Sequence, residues 1–102
     1  MNTLFAPCVD KVSRTPMDRR RNWTVRRSTH KHKKYMAQYR GEGPWIHFGD
    51  TRYEQYRDAT PLRLYAHLDH GDAVRRARYK QRHERDRHVV GTAGWLSDVF
   101  LW

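Results

Sequence analysis

Between Lys34 and Arg40 the side chains alternate, Tyr35, Ala37 and Tyr39 to one face and Met36, Gln38 and Arg40 to the other. A period of two marks a strand half-buried in a sheet. Gly41-Glu42-Gly43-Pro44 reads as a turn and Trp45-Ile46-His47-Phe48 as a second short strand, so this stretch predicts a β-hairpin with a four-residue loop. A lone hairpin is not stable in water, and its aromatic face needs helices or a neighbouring chain. Gly49-Asp50 breaks the strand. Thr60-Pro61 then has the form of a helix start, with Thr as cap and Pro in the first turn. Leu62, Tyr65 and Leu68 follow as a single stripe, which predicts a helix over 61–70 ended by Gly71. Asp72 can cap a second helix, expected over 72–88, with Val74 and Ala77 as its small apolar seam. Arg75, Arg78, Arg82 and Arg85 line one side of it. After Gly91 and Gly94 the chain runs into Trp95-Leu96-Ser97-Asp98-Val99-Phe100-Leu101-Trp102. So dense an apolar run is expected to be buried, on the module's own core or on another subunit.

Residues 1–33 follow neither period. Pro7 and Pro16 disfavour helix, while Arg19-Arg20-Arg21 and Arg26-Arg27 repel one another. Trp23 and Val25 are the only large apolar groups between Met17 and Lys34, and Trp23 reads as an anchor that plugs into a pocket. The expected fold is therefore α+β: an extended basic N-terminal arm over 1–33, then a small module over 34–102. That module holds the β-hairpin, two helices and an apolar C-terminal tail.

Charge sharpens the division. Residues 11–40 hold eleven Lys or Arg against the single acid Asp18, whereas residues 41–102 hold ten basic and nine acidic residues. A cationic arm of this density needs a polyanion or an acidic protein surface to hold it still. At 102 residues the chain has room for one domain with a small core. Cys8 is the only cysteine, which rules out an internal disulfide. No apolar run reaches the length of a membrane span. Leu4-Phe5-Ala6 is too short for the core of a signal peptide. The chain is expected to be soluble and intracellular, or packed within a particle assembled inside a cell.

Candidate chemistry is thin. His30 and His32, His67 and His70, and His83 and His88 form pairs, but structural zinc sites favour paired Cys or Cys and His, and Cys8 has no mate. A helix end accounts for His67 and His70 through its dipole. His47, His67, Asp69, His70 and Asp72 are loosely compatible with an HNH-like nuclease, yet no Asp-His or Asn-His pattern sits where the hairpin would present it. Gly41 and Gly43 run into Pro44 and a strand and so form no phosphate loop. Ser13, Ser28 and Ser97 have no elbow context. No catalytic site, metal, cofactor or small-molecule substrate is expected.

The residues expected to carry binding are Arg19, Arg20, Arg21, Arg26, Arg27, Lys31, Lys33 and Lys34 in or beside the arm. They suit either DNA phosphates or the acidic grooves between protein subunits. Trp23, Trp95, Phe100, Leu101 and Trp102 are the expected docking residues.

One resemblance spans residues 34–102. The string Trp45-Ile46-His47-Phe48-Gly49-Asp50, Tyr53-Glu54-Gln55-Tyr56-Arg57-Asp58, Thr60-Pro61-Leu62, Leu68-Asp69-His70-Gly71-Asp72, Arg75-Arg76, Tyr79, Arg82-His83 and Leu101-Trp102 resembles small uncharacterised basic proteins of nucleocytoplasmic large DNA viruses. It implies a virion component and supplies no chemistry. The function expected on that basis is a minor capsid or cement protein that links capsid subunits through its arm and aromatic module. The alternative is a virion nucleoprotein that condenses viral DNA without sequence preference. Its partners would be other capsid proteins or viral DNA, and its location the virion, with the host cytoplasm during assembly.

Overall fold

The computed structural model describes residues 19–102. Three strands, β1 (Trp23–Arg27), β2 (Lys33–Tyr39) and β3 (Glu42–Asp50), form an antiparallel meander in the order β1-β2-β3. Two helices follow, α1 (Ala73–Arg82) and α2 (Ala93–Leu101), with short 3-10 turns at Ala66–Leu68 and Asp86–His88. The architecture is α+β. No helix among the described residues is long and apolar enough to cross a membrane.

The module starts earlier than the hydrophobic pattern places it. Trp23 pairs with Tyr39 and Arg27 with Tyr35, so residues 23–27 are a sheet strand and not part of an extended arm. Charge hides this strand: its inward residues are only Trp23 and Val25, both packed against the core, while Arg26 and Arg27 point to solvent. Of the remaining expected arm, residues 28–32 turn the chain into β2, which already includes Lys33, residues 19–22 lead into β1, and residues 1–18 lie outside the described residues.

The hairpin is tighter than expected. Tyr39 pairs with Glu42, leaving only Arg40 and Gly41 in the loop, at φ 52° and 71°. Two consecutive left-handed residues are what a two-residue hairpin turn requires. Gly43 and Pro44 therefore belong to β3. Pro44 is tolerated because β3 is an edge strand, where a missing N–H can face away from the ladder.

No α-helix forms over 61–70. Thr60 Oγ1 does accept from Arg63 N at 3.1 Å, the bond a helix cap would make, but Arg63 itself sits at φ 50° and the turn cannot propagate. Leu62, expected in the buried stripe, is 43% exposed. The second helix starts where the sequence puts it, Asp72 Oδ1 accepting from Val74 N and Arg75 N, but ends at Arg82 rather than His88. The chain must turn there to bring Asp86 against Gly94, where a Cβ would lie 2.8 Å from the Asp86 Cβ.

The core is made by the sheet and α2. Tyr35, Ala37 and Phe48 meet Trp95, Leu96, Val99, Phe100 and Leu101, all buried. The apolar run thus docks on its own module. Trp95, Phe100 and Leu101 are core residues and are not available to a partner. Fully burying each such side chain is worth about 1.5–3 kcal/mol.

A buried polar network replaces the missing helix. The Asp58 carboxylate accepts from Tyr35 Oη at 2.5 Å, Thr60 Oγ1 at 2.6 Å, Thr60 N at 3.0 Å and Tyr65 N at 3.0 Å. Gln55 donates from Nε2 to Asp69 Oδ1 at 2.6 Å and to the Tyr65 carbonyl at 2.7 Å. Lys34, 2% exposed, donates from Nζ to the Tyr53 carbonyl at 2.8 Å and to Gln55 Oε1. Every buried polar atom so paired spares the cost of an unmet one, which is how a long irregular segment can lie inside a small domain.

Candidate anion-binding cleft

α2 and the network hold one concave face in place. Ala59 N donates to the Phe100 carbonyl at 2.8 Å and Arg57 N to the Leu101 carbonyl at 3.1 Å, fixing residues 57–63 against the end of α2. Arg20 Nε reaches the Val99 carbonyl at 3.0 Å, which pins the segment before β1 to the same helix. From the other side α1 leans in, its Tyr79 ring stacked on Trp102 with centroids 4.1 Å apart and planes 4° from parallel. Between these walls lies a cleft of about 880 Å³.

Seven cations line it: Arg19, Arg20, Arg21, Arg57, Arg63, Arg76 and Lys80. The one carboxylate among its lining residues is Asp98, buried in α2. Lys80 Nζ sits 2.8 Å from it, Arg87 Nη1 3.6 Å and Arg19 Nη1 4.0 Å. One negative charge therefore serves three positive ones. Burial chiefly, and then repulsion from Arg19 and Arg57, pushes the Arg20 guanidinium below its ordinary value. Aromatic surface interleaves with the charge, since the Arg76 guanidinium lies 4.7 Å from the centre of the Tyr56 ring. Guanidinium groups clustered this way donate paired hydrogen bonds to phosphate or carboxylate oxygens.

The expected binding residues divide into three sets. Arg19, Arg20 and Arg21 line the cleft. Arg26 and Arg27 in β1, with Lys31 and Lys33 at the β1–β2 turn, are exposed at the other end of the sheet, Arg26 stacked 5.2 Å over Trp45. Lys34 belongs to neither, because its ammonium is consumed by Gln55 and the Tyr53 carbonyl. Burial pushes it down to about 8 against the pull of Asp58, Asp50 and Asp69. Of the expected docking residues, Trp23 packs its ring 5.7 Å from that of Trp95 and Trp102 stacks on Tyr79, so both serve the fold while reaching the cleft wall.

Sequence reasoning missed four of the seven cations. Arg57 and Arg63 sit in what reads as an ordinary polar loop, and Arg76 and Lys80 on what reads as a solvated helix. Nothing local marks them, since only the fold brings them together. Asp98 carried a signal, as the single acid inside an apolar run.

His30 and His47 stack face to face with centroids 3.4 Å apart, and His47 Nδ1 is hydrogen-bonded to Ser28 Oγ at 2.7 Å. Among the described residues no group of three or more His, Cys, Asp or Glu side chains converges.

No curated protein and no solved structure matches the chain. One family does, from Trp23 to His83, well over half of the sequence. The match opens on the first residue of β1 and closes on the cap of α1, so it takes in the sheet, the polar network and two sides of the cleft but not α2. The chain belongs to DUF5754, a family of unknown function.

Proposed function

We propose that this protein binds the phosphate backbone of nucleic acid through the cationic cleft, without catalysis and largely without reading sequence. The observation that carries the proposal is the convergence of Arg20, Arg57, Arg63, Arg76 and Lys80 from three distant stretches of chain onto one face with a single carboxylate. Like charges gathered at a cost to the fold suggest a polyanionic partner. Arg26, Arg27, Lys31 and Lys33 extend positive charge beyond the cleft, which suits a long anion better than a short acidic peptide. The apolar side chains that argued for docking on a capsid subunit are used up in the protein's own core. In the viral setting implied by the sequence resemblance, the role would be that of a virion nucleoprotein, and capsid cement remains the rival proposal.

Salt titration of binding to duplex DNA of random sequence tests this. The logarithm of affinity should fall linearly with the logarithm of salt, by about 0.9 for each phosphate neutralised. The triple variant Arg57→Ser, Arg63→Ser, Arg76→Ser should flatten that slope by about 2–3 while keeping the fold. An unchanged slope would remove the cleft from the binding surface. In disrupted particles, recovery with the shell rather than the genome would favour cement.

A further inference from the structure

The cleft uses only one side of α1. Arg76 over Tyr56, Tyr79 on Trp102 and Lys80 on Asp98 fix the inward side. Arg78 follows Arg76 by two residues and Arg82 follows Lys80 by two. Two residues are about 200° of helix rotation, so Arg78 looks away from the cleft across a helix about 10 Å wide, while Arg82 lies at the margin between the two sides, lining a separate hollow with Glu54, Arg75 and Trp102. Both are exposed, as is Arg85 just beyond the helix end. Arg75 pairs with Glu54 and Arg87 with Glu84, but among the described residues Arg78, Arg82 and Arg85 make no ion pair. Arg78 and Arg82 stand at i and i+4, a like-charge spacing that weakens a helix. α1 buries none of its residues, and its outer side adds exposed Val74, Ala77 and Gln81 to this charge.

We propose that this outer edge is a second phosphate-binding surface, so that one molecule holds two nucleic-acid segments, one in the cleft and one along Arg78, Arg82 and Arg85. The inference rests on the cleft reading above and adds an activity to it: bridging, and through bridging, compaction. Charge complementarity selects the occupant, since guanidinium groups without ion-pair partners along the end of α1 and just past it match a second phosphate backbone.

The test captures dye-labelled duplex DNA on beads carrying unlabelled duplex DNA, with the full-length protein as the only link. The variant Arg78→Ser, Arg82→Ser, Arg85→Ser should keep its circular-dichroism spectrum and bind a single duplex within about threefold of the unsubstituted protein, while captured DNA falls by about tenfold or more. Undiminished capture by the variant overturns the proposal, as does an unsubstituted protein that binds one duplex tightly and captures no second. An unsubstituted protein that binds no duplex overturns the cleft reading itself, and the bridge with it.

Discussion

The Tyr35 hydroxyl donates to Asp58 Oδ2 across 2.5 Å in the interior, joining the middle strand of the sheet to the loop that has no helix. Tyr35 also accepts from Leu64 N at 2.9 Å, so one phenol fixes both ends of that loop. Asp58→Ala strips four donors of their acceptor and should cost about 3 kcal/mol or more. Tyr35→Phe leaves Asp58 three of its four bonds and should cost about 1–2 kcal/mol. Urea denaturation of the two variants gives the order. Equal losses would show that the network is not centred on Asp58.

Stability should depend on pH in two opposite steps. Burial holds the Lys34 ammonium at about 8, against an ordinary value of 10.5. Between those values the unfolded chain keeps a proton that the folded one has shed, so stability rises with pH. Tyr35 and Tyr79 are each pushed up to about 12 by burial. Above pH 10 the unfolded chain loses protons that the folded one keeps, and stability falls. Denaturation curves should therefore peak near pH 10, and Lys34→Met should abolish the rise while keeping the fall.

Asp98→Asn separates folding from binding. It removes the charge shared by Lys80, Arg87 and Arg19 and should cost about 1–3 kcal/mol of stability. It also leaves the cleft with no carboxylate among its lining residues, so affinity for duplex DNA should rise severalfold. A variant that both melts lower and binds more weakly would mean that Asp98 chiefly orders the cleft walls.

Gly49 sits at φ 79°, and a Cβ there would lie 3.0 Å from both Leu101 Cδ1 and Lys34 Cβ. Gly49→Ala should lose about 1–3 kcal/mol through backbone strain and contact together. Gly41→Ala shares the strain but meets nothing within 4 Å, and should lose less. The difference between their melting temperatures isolates the packing part.

The parts of the fold visible in sequence were those set by side-chain period. Tyr35, Ala37 and Tyr39 alternate because one face of β2 is buried, and Asp72 caps α1 because nothing competes for its carboxylate. β1 was hidden because two apolar residues in a five-residue strand, followed by Arg26 and Arg27, are too few to establish a period. The stripe Leu62, Tyr65, Leu68 misled for the opposite reason: its spacing suits a helix, but Asp58 binds Thr60 and Tyr65 more directly than a helix would. The cleft could be read only in part. Arg19, Arg20 and Arg21 stood out as a run, whereas Arg57, Arg63, Arg76 and Lys80 acquire meaning from where α2 and α1 place their backbones.

α2 also governs when this protein can fold. Phe48 stacks on Phe100 at 5.8 Å, a contact between residues about fifty positions apart, and the rest of the core is closed by the same distant partner. The meander can pair its strands through two short turns within microseconds, but its inner face then has nothing to bury it. Until α2 arrives, Tyr35 and Phe48 stand open beside an unprotected edge strand. The slow step is therefore the search that brings a helix of nine residues back across the chain, and the half-made sheet that waits for it is the species most prone to stick to its own kind.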